Sequence, residues 1–184
     1  LLAKRDWSRI VPVAPAGGRR VRFWDFAATA SKDARDPDYT VGTLMGMEDG
    51  VYTVLHVLRG RWGPGQVEKI VQQTAEADGR KVPIVMEQEP GAAGRLFTAN
   101  MIKTLAGWAV RAVPSSGDKV TRAMPFLAQA QAGNVQLVSG AWVTEWLDEV
   151  CTMPESAHDD QWDSASGAFE ALVRAAGGWS RGPA

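Results

Sequence analysis

At 184 residues with 45% hydrophobic content, the chain is long enough for one full core and too short to promise two, so we expect a single domain. A formal net charge of −1 excludes a global polycation, so any nucleic-acid binding must come from a local basic face set against an acidic site. The single Cys151 excludes an internal disulfide framework and a cysteine-rich zinc site, and the lack of an apolar run of about 18 residues favours a soluble protein.

The N-terminal part is predicted to hold a connector and then a buried strand. Residues 1–18 mix charge with prolines and glycines and begin without Met, which is typical of a linker carried over from an upstream segment. Residues 21–28 form an apolar, aromatic, β-prone run interrupted by one carboxylate, Asp25. Because an ionised carboxylate is costly to bury without partners, Asp25 is either a turn or cap residue or a metal ligand that projects into an active site.

Turn residues and periodicity predict the remaining elements. The turn Glu48-Asp49-Gly50 joins two strands that continue the first one as an antiparallel meander. In the second helix, Leu96, Ile102 and Leu105 are the expected core positions. These elements place one domain over 19–176 and a flexible tail over 177–184. After the first strand, the predicted elements are strands over 39–47 and 51–58, a helix over about 67–77, a strand over 82–86, a helix over 91–106, a strand over 108–113, a helix over 118–132, a strand over 135–138, a helical segment over 142–150 and a last helix over 159–176.

The order of these elements predicts a mixed α/β fold. A crossover helix before the fourth strand favours a parallel pairing of that strand with the first. An antiparallel meander of three strands, followed by parallel strands and flanked by helices, resembles a ribonuclease H-like fold. In that arrangement the carboxyl ends of the first and fourth strands are neighbours, and open α/β sheets place their sites at such ends.

Two further acidic clusters are expected to join the first-strand aspartate there. Glu87 and Glu89, two residues apart after the fourth strand, face one side of an extended chain. Asp160 and Asp163 share a face of the last helix, whereas Asp159 points away by about 100°. Capping of the helix N-terminus is the alternative for these aspartates, but three acids in five residues exceed what one cap requires.

The residue types in these clusters indicate a hard divalent cation. Carboxylates with no cysteine beside them and few histidines are the ligand set of Mg²⁺ or Mn²⁺. Two such ions a few ångström apart would activate a water and stabilise the leaving oxygen in phosphodiester hydrolysis, which is the function we expect. His158 either orients a water or a phosphate, or is a solvent-exposed residue beside a helix cap.

Five short motifs are spaced along nearly the whole chain. They are Phe23-Trp24-Asp25-Phe26-Ala27-Ala28, Asp38-Tyr39-Thr40-Val41-Gly42, Glu87-Gln88-Glu89-Pro90-Gly91-Ala92-Ala93-Gly94, Gly117-Asp118-Lys119-Val120-Thr121-Arg122-Ala123 and His158-Asp159-Asp160-Gln161-Trp162-Asp163-Ser164-Ala165. In this order they resemble the C-terminal nuclease domain of tailed-phage terminase large subunits, a ribonuclease H-like, RuvC-type domain. The resemblance spans roughly residues 20 to 172.

The resemblance implies an endonuclease that cuts double-stranded concatemeric DNA during genome packaging and uses Mg²⁺ or Mn²⁺. Asp25 matches the first-strand aspartate of the family, and Glu87 matches the acid that ends the fourth strand before Gln. Asp160 and Asp163 match the paired acids of the final helix. Glu89 stays open as the ligand in place of Glu87.

The resemblance also implies partners. Lys119 and Arg122, at i and i+3 in the third helix, are expected to contact DNA phosphates without reading bases, or else to form a solvated helix face. The family's packaging ATPase precedes this domain, and since no Gly-x-x-x-x-Gly-Lys-Ser/Thr phosphate loop occurs here, this chain alone should not hydrolyse ATP. Portal and small terminase subunit are further expected partners, in the host cytoplasm and without a membrane. Weaker DNA-contact candidates are Lys32, Arg35, Arg59, Arg61 and Arg95.

Two other functions fit the same sequence. One is a Holliday-junction resolvase or ribonuclease with the same fold and metal, which a preference for branched DNA or RNA–DNA hybrids would reveal. The other is a non-catalytic module that binds DNA or a portal-like partner, and metal dependence of DNA nicking would exclude it.

Overall fold

A computed structural model describes residues 9–27, 38–115, 118–152, 155–156 and 158–176 of the chain. Lys32 and Arg35, the N-terminal eight residues and the tail over 177–184 lie outside these ranges. The strands are β1 Arg9–Val11, β2 Arg19–Asp25, β3 Thr40–Glu48, β4 Val51–Gly60, β5 Ile84–Gln88, β6 Val110–Pro114 and β7 Val135–Val138. The helices are α1 Pro64–Asp78, α2 Gly91–Thr104, α3 Lys119–Gln131, α4 Val143–Val150 and α5 Asp160–Ala176.

The strands of the described residues form one mixed sheet in the order β1-β7-β4-β3-β2-β5-β6. The β2, β3 and β4 strands pair antiparallel as a meander, whereas β2 pairs parallel with β5, and β5 with β6. This confirms the predicted mixed fold and the parallel pairing of the first long strand with the strand that carries Glu87. Residues 9–11, within the segment expected to be a connector, form a short edge strand parallel to β7.

Helices cover both faces of the sheet. The α3, α4 and α5 helices pack in the larger core on one face, and α1 and α2 pack in a second core on the other. Because side chains alternate along a strand, Phe23 of β2 enters the first core and the next residue, Trp24, enters the second. Among the described residues, no helix combines the length and apolar character needed to cross a membrane.

A buried ion pair ties the end of α1 to the middle of the sheet. Arg22 of β2 is 1% exposed, and its Nε and Nη2 donate to the two carboxylate oxygens of Asp78 at 2.7 and 2.8 Å. Its Nη1 donates to the carbonyl of Gly42 at 2.9 Å. The buried charge of Arg22 is tolerated because all three of its guanidinium nitrogens donate hydrogen bonds, two of them to a carboxylate of opposite charge.

The prediction for the inner face of the second helix was wrong at two positions. Leu96 is 64% exposed and Ile102 is 41% exposed, whereas Leu105, at the end of the helix, is fully buried. The buried residues of the helix are Gly94, Thr98 and Met101, and a Cβ at Gly94 would lie 2.3 Å from the carbonyl oxygen of Glu89. Gly94, with Thr98 four residues later, lets the helix backbone approach the chain that leaves β5.

Candidate active site

The ends of two parallel strands bring the first two predicted acids to one edge of the sheet. Trp24 of β2 lies opposite Met86 of β5 in a parallel register. Asp25 and Glu87 are the next residues of the two strands, so they lie side by side where the two strands end. This is the edge where open α/β sheets carry their sites.

Two small residues of α5 seat the last helix on β2. The Ser164 Oγ lies 3.2 Å from the carbonyl oxygen of Phe23 and 3.3 Å from that of Val41. A Cβ at Gly167 would lie 2.3 Å from the Phe23 ring, so a larger residue would push the helix away. The first turn of α5, which carries Asp160 and Asp163, is therefore held against the strand that ends in Asp25.

Arg122 of α3 places a positive charge among these acids. Its Nη1 donates to Glu87 Oε1 at 3.0 Å, and its Nη2 lies 3.5 Å from Asp163 Oδ1. The helix that carries it is capped at its N-terminus by the Asp118 side chain. We call Asp25, Glu87, Arg122 and Asp163 the central cluster.

The charges of the central cluster act on one another. Burial alone would lower the pKa of Arg122, but the hydrogen bond and charge of Glu87, together with the charges of Asp163 and Asp25, raise that pKa overall. The guanidinium is therefore held in its charged form by three carboxylates. One cation against three acids leaves the cluster with excess negative charge.

A flanking cluster lies one helical turn before Asp163. One ligand atom each of Asp38, His158 and Asp160 lies within 4.8 Å of the other two. Asp160 Oδ2 accepts a hydrogen bond from the Tyr39 N–H at 3.0 Å and lies 3.8 Å from His158 Nδ1. Burial raises the pKa of Asp160, and the nearby Asp38 charge adds to the rise while the Tyr39 N–H opposes it.

Two arginines stack on a tyrosine beside the flanking cluster. The guanidinium carbons of Arg59 and Arg61 lie 3.5 and 3.9 Å from the ring centroid of Tyr39. The His158 ring meets the same tyrosine edge-on, with centroids 5.1 Å apart. The sequence had suggested both arginines only as weak DNA contacts, and the structure places them next to the acids.

A buried glutamate of α4 holds the first turn of α5 in place by hydrogen bonds. Glu149 of α4 accepts hydrogen bonds from the backbone and the side-chain amide of Gln161, at 2.7 and 2.9 Å. Its carboxylate also lies 3.3 Å from Arg59 Nη2. Burial raises the pKa of Glu149, and this effect outweighs the opposing hydrogen bonds of Gln161 and charge of Arg59.

The structure brings some of the predicted site residues together and separates others. Glu87 and Asp163 meet on Arg122, which faces the acids from α3. Asp160 shares the first turn of α5 with Asp163 but contacts the start of β3. Glu89, half-buried, follows the end of β5 next to α2. The two glutamates that the sequence left open thus occupy different surroundings.

Sequence reasoning also missed part of the site. Asp38 was noted only as a motif residue, yet it supplies a carboxylate to the flanking cluster. A signal was present, because β3 begins two residues later and pairs with β2, with Val41 opposite Asp25. The Lys119 side chain lies outside what the structure describes, so its predicted DNA contact stays a prediction.

A cleft of about 310 Å³ opens from the central cluster. Glu87, Arg122 and Asp163 line one end of it. Residues that the sequence had not singled out line the part farther along α5, among them Ser166 and Arg174 of that helix and Arg111 of β6. The acids are therefore open to a ligand that approaches along this face of the sheet.

The sequence matches the family described as terminase RNaseH-like domain over residues 22–172. No curated protein matches it. The human cytomegalovirus terminase nuclease domain, soaked with Mn, superposes with a TM-score of 0.63 at 9% identity, over 87% of this chain and 86% of that chain. The large terminase nuclease of the thermophilic phage G20c with bound zinc gives 0.62 at 15% identity, over 90% and 95% of the two chains. The large terminase of the thermophilic bacteriophage D6E gives 0.63 at 11% identity, over 94% of this chain and 44% of that chain.

Proposed function

Because the chain belongs to the terminase RNaseH-like domain family, we propose that it is a metal-dependent endonuclease that cuts double-stranded concatemeric viral DNA during genome packaging. The observation that carries this proposal is that Glu87 and Asp163 both contact the guanidinium of Arg122, beside the end of β2 that carries Asp25. Carboxylates that gather around a single positive charge, from three separate elements, are arranged as a cation site requires.

The donor set of the central cluster fits Mg²⁺ or Mn²⁺. Asp25, Glu87 and Asp163 would hold the ions, and Asp160 extends the set toward the flanking cluster. All of these donors are carboxylate oxygens, which hard divalent cations prefer. Two ions bound there would supply an activated water and a counter-charge for the leaving oxygen. Support comes from the solved relatives, since one was soaked with Mn and another holds zinc.

The chain's own side chains orient the acids and receive the DNA backbone. The Tyr39 N–H fixes one oxygen of Asp160, and Arg122 fixes one oxygen each of Glu87 and Asp163. Arg122, with Lys119 one turn earlier, would bind phosphate oxygens of the strand being cut. Phosphate contacts carry no base information, so we infer that cleavage has little sequence specificity.

We propose that this domain is part of a larger protein and acts together with other packaging proteins. The D6E large terminase chain is more than twice as long as the part that this chain matches, which supports an upstream ATPase domain on the same polypeptide. Duplex DNA is the proposed substrate, and the portal and the small terminase subunit are proposed partners. The proposed place of action is the host cytoplasm.

Nicking of supercoiled plasmid, followed with and without Mn²⁺, tests the proposal. Asp25→Asn is expected to lower the Mn²⁺-dependent rate at least about 100-fold, because it removes a charge from the ion site. Asp49→Asn is the matched control, since Asp49 is exposed in the turn between β3 and β4 and has a positive φ of 49° that Asn accepts readily. Circular dichroism checks that both variants keep the fold.

The substrate separates this function from its competitors. A linear duplex should be cut as readily as a four-way junction, whereas a strong preference for the junction would favour a resolvase. Unchanged nicking by Asp25→Asn would remove that residue from the site. No nicking by the parent protein at millimolar Mn²⁺, together with no thermal shift on adding the ion, would favour a non-catalytic module.

A further inference from the structure

The cleft continues along α5 beyond the acids, and this part has no role in the proposed cleavage. Asp163, Ser166, Glu170 and Arg174 follow at intervals of three or four residues, so they lie along one face of the helix. The strands β5 and β6 form the floor, and Arg111 rises from β6 opposite Val85. Among the described residues, β6 is the last strand at this edge of the sheet, and no further strand lies beyond it.

Ser166 is the unusual residue of this stretch. It is 5% exposed and lines the cleft, and its Oγ forms no hydrogen bond with any of the described residues. A buried hydroxyl without a partner is destabilising, whereas Ala at the same helical position would carry no such penalty and has a higher helix propensity. The hydroxyl is therefore explained by an acceptor that enters the cleft from outside.

The charges beside Ser166 identify the class of that acceptor. Arg111, half-buried, and Arg174, at the exposed end of the helix, both line the cleft. Arg174 is paired with Glu170 on the same helix, which leaves its other guanidinium donors available. A hydroxyl donor and two guanidinium groups that line one cleft suit an anion with several oxygens, and guanidinium matches phosphate geometry in particular.

We propose that this part of the cleft, formed by Ser166, Arg111 and Arg174, is a subsite for a DNA backbone phosphate near the one being cut. It rests on the proposed function, because the cleft is continuous with the central cluster. Asp163 and Arg174 are eleven residue steps apart, which corresponds to about 16 Å of helix. One strand of a duplex carries a phosphate about every 3.4 Å along the axis, so this face can reach phosphates a few nucleotides from the cut.

Binding of a short fluorescent DNA duplex, measured by anisotropy without divalent metal, tests the subsite. Arg111→Gln is expected to weaken binding about 10-fold and to lower the salt slope of log K by about 0.9, the loss of one phosphate contact. Ser166→Ala is expected to weaken binding about 5-fold while its melting temperature stays at or above the parent value.

Arg111→Lys keeps the positive charge but loses the planar arrangement of guanidinium donors, so its affinity should fall between those of the parent and Arg111→Gln. Lys69→Gln, on the exposed side of α1, is the matched control and should bind like the parent.

Nicking assays distinguish failure of the subsite from failure of the nuclease proposal. If Arg111→Gln and Ser166→Ala bind and nick DNA like the parent, the subsite is overturned while the nuclease stands. If Ser166→Ala melts lower and binds normally, the hydroxyl has a packing role and the subsite is again overturned. If both variants raise KM with little change in kcat, the subsite is supported. If the parent itself never nicks DNA, the nuclease proposal fails.

Discussion

Arg122 Nη1 lies 3.0 Å from Glu87 Oε1, so a cation of the protein's own contacts one of the acids that would hold a divalent metal. The same guanidinium lies 3.5 Å from Asp163 and is influenced by the charge of Asp25. Three carboxylates at one sheet edge repel one another unless a positive charge separates them. Arg122 supplies such a charge. We therefore expect that Arg122 and a bound metal ion would each reduce the repulsion between the carboxylates.

Arg122→Ala is predicted to destabilise the metal-free protein by about 1 to 2 kcal/mol, because it leaves the three carboxylates without their counter-charge. Adding Mn²⁺ should raise the melting temperature of the variant by more than it raises that of the parent, since the ion then replaces the lost charge. Differential scanning fluorimetry across a Mn²⁺ series measures both effects.

Arg174→Ala serves as the control for Arg122, because the ion pair of Arg174 with Glu170 is exposed, lies within α5 and should be worth about 0.5 kcal/mol or less. An equal Mn²⁺ shift in Arg122→Ala and in the parent would show that arginine and metal act independently.

Glu87 and Glu89 are predicted to differ strongly in importance, although the sequence left open which of them is the metal ligand. Glu87 bonds Arg122 in the central cluster, whereas Glu89 lies where α2 approaches the chain after β5. Glu87→Gln should lower kcat/KM for plasmid nicking at least about 100-fold, and Glu89→Gln should change it less than about 5-fold. The two variants are isosteric changes two residues apart, so each is the control for the other. The reverse order of effects would assign the metal ligand to Glu89.

The sequence was sufficient to predict that Asp25 and Glu87 lie at the same edge of the sheet. Parallel pairing of β2 with β5 follows from the crossover connection, and that pairing alone makes Asp25 and Glu87 neighbours. The helical spacing predicted that Asp160 and Asp163 share one face of the last helix, and both lie in the first turn of α5. Spacing cannot say which element each side chain meets, and the two aspartates turn toward β3 and α3 respectively.

Other features depend on tertiary packing and left no readable pattern. Arg122 was expected to contact DNA phosphates, but its contacts with Glu87 and Asp163 within the protein were not predicted. In α2, hydrophobicity favoured Leu96 and Ile102 as core residues, yet close approach to the Glu89 backbone requires the glycine face instead. A hydrophobic pattern predicts burial of side chains, not the distance at which two backbones pack.

The buried pair of Arg22 and Asp78 is predicted to be a major contributor to stability. Asp78→Ala should lower the free energy of unfolding by about 3 to 5 kcal/mol in urea denaturation, since it leaves a guanidinium that is 1% exposed without its carboxylate. The double variant Arg22→Met with Asp78→Ala should recover part of the loss, because the uncompensated charge is gone. Glu170→Ala, in the exposed pair with Arg174, should cost about 0.5 kcal/mol or less. A cost below about 1 kcal/mol for Asp78→Ala would show that Arg22 finds another partner or reaches water.

Glu149 is predicted to make stability depend on pH in an unusual direction for a carboxylate. Its pKa is raised by burial, with 7% of the residue exposed, so the folded state holds the proton more tightly than the unfolded state does. The resulting stabilisation is complete below the unfolded pKa of about 4.3 and is lost as the pH rises through the folded pKa. Glu149→Gln cannot ionise, so the free energy of unfolding of the variant minus that of the parent should increase as the pH rises above about 4.3. The slope of this difference cannot exceed about 1.4 kcal/mol per pH unit, the limit for one proton.

Glu145→Gln is the matched control for this pH dependence, since Glu145 lies on the same helix and pairs with the same Arg59 but is exposed. Urea denaturation between pH 4 and pH 8 should give a nearly flat difference for this control. Asp160, whose pKa burial also raises, is present in every variant, so its contribution largely cancels from the differences. A flat profile for Glu149→Gln would mean that the hydrogen bonds from Gln161 and the charge of Arg59 offset the whole cost of burying the carboxylate. A difference that falls with rising pH would mean that these contacts hold the Glu149 pKa below its ordinary value.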